Sequence, residues 1–100
     1  MTSELISILS RLVTFLQSHG VRYATVVENY LKKLEAASAE EDISRISAEV
    51  REQMLKGMGS LNDVWISREN GHIVSDEKAA NSQLEMLREE LRHLILSKQA

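Results

Sequence analysis

The chain has 100 residues, of which 43% are hydrophobic and only four are aromatic; it has no cysteine, no proline and a net charge of −3. That length suits one domain, residues 1–100, able to bury a core unaided, and without cysteine neither a disulfide framework nor a thiolate metal site can form. Charge is spread evenly with no basic footprint, which argues against duplex nucleic acid, and no apolar run approaches the roughly 20 residues that span a bilayer.

The start, Met1-Thr2-Ser3-Glu4, has no basic n-region, and Ser7, Ser10 and Arg11 interrupt the apolar residues behind it. A secretory signal is therefore not expected, and a cytoplasmic location fits. Residues 3–18 then place Leu5, Ile8, Leu9, Leu12, Phe15 and Leu16 at steps of three and four, one stripe of a helix. Ile6 and Val13 widen the stripe, as in a helix buried on more than one side. Gly20 follows where a left-handed helix cap is cheapest for glycine.

A second helix is expected over 21–36 on Tyr23, Val27, Tyr30, Leu31 and Leu34, with Val26 widening its stripe. The short link through Gly20 makes the pair an antiparallel hairpin. Ser38 and Glu41 form an S-x-x-E capping box, and Glu40, Glu41 and Asp42 suit the positive end of a helix dipole. The third helix, about 39–56, has the thinner stripe Ile43, Ile46, Val50, Met54 and Met58, as befits a core edge.

Helical period breaks between Leu61 and Val74. Asn70-Gly71 is a strong turn dipeptide, so a short β-hairpin of Val64–Ser67 with Gly71–Val74 is one expectation and an extended loop the other. Ser75 or Asp76 can cap a last helix with the stripe Ala80, Leu84, Leu87, Leu91, Leu94 and Ile95. The fold class is mainly α: a four-helix antiparallel bundle-like domain with a short irregular or β-hairpin insert, about 60–74, between helices three and four.

The stretch GMGSLNDVWIS, residues 57–67, holds two of the four glycines and the only tryptophan. A Walker loop needs G-x-x-x-x-G-K-[ST] between strand and helix; here the spacing is G-x-G after a helix, and no Lys-Ser or Lys-Thr follows. It reads as a structural turn. Gly57 and Gly59 stop the helix, and Ser60, Asn62 and Asp63 bond to nearby amides. Trp65 is then an apolar anchor at the core or its edge; the sharper alternative is a partner-facing tryptophan, a residue enriched at binding hot spots.

Catalytic and metal constellations fare poorly. Glu90-x-x-His93 has the spacing used by di-iron bundles, but Glu69-x-x-His72 spans the Asn70-Gly71 turn and cannot supply the second helical element. His93 reads as solvated. His19 suits the end of the first helix through its dipole. No serine sits in a nucleophile elbow, and Glu85–Arg88, Arg88–Arg92 and Glu89–Arg92 read as a solvated charged face. No enzyme, cofactor or metal is expected. Glu35, Glu40, Glu41 and Asp42 form either a solvated helix start or an acidic patch that steers a basic partner.

Gly57-Met58-Gly59-Ser60-Leu61-Asn62-Asp63, with helical flanks and LEMLREELRHLI behind it, resembles the Gly-Met-Gly-Ser-x-Asn-Asp signature of a family of small bacterial helical proteins of unknown function. Lys56 departs from that pattern, where a further glycine would stand. Such proteins are similar in style to immunity proteins of toxin systems. The resemblance implies a cytoplasmic immunity protein that binds and occludes a cognate toxin or effector domain, with Trp65, Glu40, Glu41 and Asp42 as candidate contacts. The alternative is a structural or regulatory helical homo-oligomer, such as a homodimer whose apolar stripes continue across a two-fold interface.

Overall fold

The computed structural model describes residues 2–54 and 61–97. Among them are four α-helices: α1 (Thr2–Ser18), α2 (Ala24–Ala36), α3 (Glu40–Met54) and α4 (Glu77–Ser97). Between the last two lie two 3₁₀ turns, Leu61–Asp63 and Arg68–Asn70.

The wide stripe of α1 makes it the central helix, packed on α2 and on α4. Leu5, Leu9, Leu12 and Leu16 are fully buried, and Ile8, Val13 and Phe15 are buried beside them. Each such side chain contributes roughly 1.5–3 kcal/mol when removed from water. Gly20 ends the helix as expected: its φ is +68°, Val21 N–H donates to the Leu16 carbonyl at 2.9 Å, and Gly20 N–H donates to Gln17 at 3.0 Å. This pair of bonds is a Schellman cap. Val21 to Tyr23 remain in the turn, so α2 starts at Ala24, later than expected.

The helices α1 and α4 run antiparallel, since Ser3 and Ser7 lie by His93 and Leu94 while Thr14 and Ser18 lie by Gln83 and Leu87. So do α2 and α3, with Tyr23 by Gln53 and Lys33 by Glu49. Arg11 of α1 meets Glu90 of α4, and Lys33 of α2 lies 3.8 Å from Glu49 of α3. The helix α3 begins one residue later than the capping box required. The Ala39 carbonyl accepts from Asp42 and Ile43, which makes Ala39 the cap residue in place of Ser38. Ile46, Val50 and Met54 of α3 are buried, as is Ser47, whose hydroxyl has no hydrogen-bond partner. Met58 lies outside the described residues. At α4, Asp76 is the cap: its Oδ1 accepts from Ala79 N–H at 3.0 Å. Ala80, Leu84, Leu87, Leu91 and Ile95 are buried, Leu94 is half-buried and Met86 is exposed.

The β-hairpin does not form; no strand occurs among the described residues. The two arms share one backbone bond, from His72 N–H to the Ser67 carbonyl at 3.1 Å, and beyond it both bond elsewhere. Ile66 pairs with a side chain of α4, and Ile73 N–H donates to the His19 carbonyl at 2.8 Å. The turn at Asn70-Gly71 is real, with Gly71 at φ +83°, but it closes a compact loop over 67–72.

Candidate partner-binding face

Trp65 is placed by its neighbour. Ile66 is fully buried, and Trp65 is 59% exposed. Of the two readings of Trp65, this exposure favours the outward one, and Ile66 anchors the insert.

Asn81 of α4 supplies the missing strand partner. Its Oδ1 accepts from Ile66 N–H at 2.7 Å, and its Nδ2 donates to the Ile66 carbonyl at 2.8 Å and to the Glu77 carbonyl at 2.8 Å. One side-chain amide thus satisfies both backbone groups of a buried residue, as a ladder would. Seven residues along α4, Arg88 is only 7% exposed. Its Nη1 donates to the carbonyls of Leu61 and Val64 at 3.1 Å each and of Asn62 at 3.4 Å. Its Nη2 pairs with Glu85 Oε2 at 2.5 Å. The solvated-face reading fails for Arg88, which is the carbonyl cap of the insert. It holds for Glu85 and Glu89, both exposed. Arg92 reaches Asn62 Oδ1 at 2.9 Å and pairs with Glu89.

Trp65 therefore stands on a rim between two open hollows. One is lined by the α1–α2 turn, Gly20 to Tyr23, and by Asp63, Asn70, Gly71 and His72. The other is lined by α4 from Glu77 to Arg88. The Tyr23 hydroxyl on the first side is held above its ordinary pKa, mainly by burial and then by the nearby Tyr30. Ile73, 71% exposed, lies by Gly20 at the same end of the molecule.

The other candidate contacts are not brought to this face. Tyr23 reaches the Gln53 carbonyl, so the end of α3 lies by the start of α2. Glu40, Glu41 and Asp42 open α3 at the far end of that hairpin, about 20 Å away by the rise along α2. Asp42 there pairs with Arg45 at 3.0 Å, while Glu40 and Glu41 are exposed. Of the expected turn residues, Asn62 and Asp63 lie in the first 3₁₀ turn, whereas Gly57, Gly59 and Ser60 lie outside the described residues.

Among the described residues no three His, Asp or Glu side chains converge to hold a metal ion. Glu90 is engaged by Arg11 in a bidentate pair at 3.0 and 2.6 Å, and that hydrogen bonding holds its carboxyl below the ordinary range. His93 beside it is exposed. His19 Nδ1 sits 2.8 Å from the Phe15 carbonyl in the last turn of α1, the position its place in the sequence suggested. No described helix is long and apolar enough to cross a membrane. The chain matches no known family model, no characterised protein and no solved structure.

Proposed function

We propose that this chain is a protein-binding module whose contact face is built around Trp65. The observation that carries the reading is a single large aromatic held 59% exposed on a backbone fixed by buried Ile66 and Asn81. A side chain whose base is immobile loses little conformational freedom on binding, which favours it as a hot spot. In its most concrete form the module is a cytoplasmic immunity protein that occludes a bacterial toxin, the role suggested by the resemblance of the Gly57–Asp63 segment. The test is co-expression with the product of the neighbouring gene. Protection from its toxicity and co-purification, both lost in Trp65→Ala, are expected. Neither protection nor co-purification with the parent chain overturns the immunity reading, and undiminished binding by Trp65→Ala overturns the face.

The competing reading is a helical homo-oligomer, favoured by Met86, 72% exposed on α4. Light scattering separates the two: a dimer that Met86→Glu dissociates supports the oligomer, and a monomer removes it.

A further inference from the structure

His19 and His72 make opposite hydrogen-bond demands. His19 Nδ1 lies 2.8 Å from the Phe15 carbonyl, an atom that only accepts, so this nitrogen carries the hydrogen. His72 Nδ1 lies 3.1 Å from the Ser67 amide nitrogen. A backbone N–H only donates, so Nδ1 of His72 is bare and the ring hydrogen sits on Nε2. An added proton at His19 goes to Nε2; the bond to Phe15 survives, and the cation meets the negative end of α1. At His72 the added proton must go to Nδ1, where two donors then face each other.

We propose that His72 is a proton-operated latch on the loop beside Trp65. Ser67 is the hub of that loop. Its carbonyl accepts from the amides of Asn70 and His72 at 3.1 Å each, and its hydroxyl accepts from Glu69 N–H at 3.1 Å. The Asn70 side chain in turn donates to the Trp65 carbonyl at 3.4 Å. Protonation strips Ser67 N–H of its acceptor, turns the ring out and loosens 67–72 next to the exposed tryptophan. The motion is bounded on both sides, by Asn81 on Ile66 and by the bond from Ile73 N–H to His19.

The charged surroundings do not replace the lost acceptor. Arg22, Tyr23 and Asp63 line the same hollow as His72. In its own loop Glu69 is exposed, and Arg68 is tied to Glu77 of α4 at 3.5 Å. Glu77 also accepts from Arg68 N–H at 2.9 Å, so its carboxylate is already committed within the loop.

The test is nuclear magnetic resonance of the full chain across the histidine titration range. At neutral pH, ring nitrogen–proton correlations should show the Nε2–H form for His72 and the Nδ1–H form for His19. As the His72 ring titrates, the Ser67 amide proton should move upfield, and its exchange relative to the intrinsic rate should quicken about fivefold, the loss of one ordinary hydrogen bond. In His72→Gln, whose amide oxygen can accept but cannot titrate, the Ser67 resonance should stay fixed; in His19→Gln it should titrate as before. The proposal is overturned by an Nδ1–H form at His72, by a Ser67 amide indifferent to the His72 titration, or by an unchanged Ser67 titration in His72→Gln. If that variant fails to fold, the ring form and Ser67 titration of the parent chain decide.

Discussion

Replacing Arg88 by methionine is the sharpest probe of how the insert is held. Methionine keeps most of the aliphatic stem and removes the guanidinium. Three carbonyls then lose a charged donor, although that of Leu61 still accepts from Val64 N–H at 3.2 Å. That of Leu61 is in a buried bond, while those of Asn62 and Val64 are partly open to water. Losing the charge-assisted bond to the buried Leu61 carbonyl costs roughly 1.5–3 kcal/mol, and the two others, able to hydrate, add roughly 0.5 kcal/mol each, for a loss of about 3 kcal/mol. The partner carboxylate contributes little, because Glu85 is 54% exposed; Glu85→Gln should cost less than about 0.5 kcal/mol. For a domain of this size, the Arg88→Met loss lowers the melting temperature by about 12–24 °C. Urea denaturation followed by far-ultraviolet circular dichroism measures it, with half-buried Arg92→Met as the comparison. A loss below about 1 kcal/mol for Arg88→Met, or equal losses at the two positions, would refute the carbonyl-cap account.

Asn81→Ala should cost about 2–4 kcal/mol, because both backbone groups of buried Ile66 lose their partner; loss of hydrogen-exchange protection at the Ile66 amide is the direct readout. Gly20→Ala should cost about 1 kcal/mol, visible as a lower melting temperature, through its positive φ alone, since an added Cβ meets Ile73 no closer than 3.6 Å. Ser47→Ala should raise stability by about 0.5–1 kcal/mol in the same urea assay, because it removes a buried hydroxyl with no partner and improves helix propensity. Glu90 has a folded-state pKa depressed by Arg11, so its contribution is present above the unfolded carboxyl value and is lost as pH falls through the folded one. The pair is half exposed, so less than about 1 kcal/mol is at stake. Glu90→Gln should flatten the acid limb of the stability–pH profile by that amount, and less so in high salt.

The helices were legible because apolar spacing and burial coincide. Each expected stripe residue of α1 and nearly all of α4 went inward, and Gly20 stopped α1 in the predicted manner. The hairpin was not legible, because period and turn dipeptide report local preference only. The bonds that decide the insert come from Asn81 and Arg88, 15 and 27 residues from their targets Ile66 and Leu61. A signal for them did exist. Asn81, Leu84, Arg88, Leu91 and Ile95 follow one another at steps of three and four, so two polar residues occupy positions of the apolar stripe. A polar residue in such a place needs a partner, and the nearest backbone without one was the insert. Composition left Trp65 with two readings, an anchor at the core or its edge and a partner-facing residue, and only the burial of Ile66 beside an exposed Trp65 favours the second.

The grip of α4 on the insert also separates mounting from contact. Asn81 and Arg88 hold Leu61, Asn62, Val64 and Ile66 through main-chain atoms, which every amino acid except proline offers alike. The identity of the outward side chains at Trp65 and Glu69 does not enter those bonds. The exposed tip can therefore change its chemistry by substitution while its position in space is kept. A scaffold of this kind lets recognition diversify at a constant fold, provided that Asn81, Arg88 and Ile66 stay as they are.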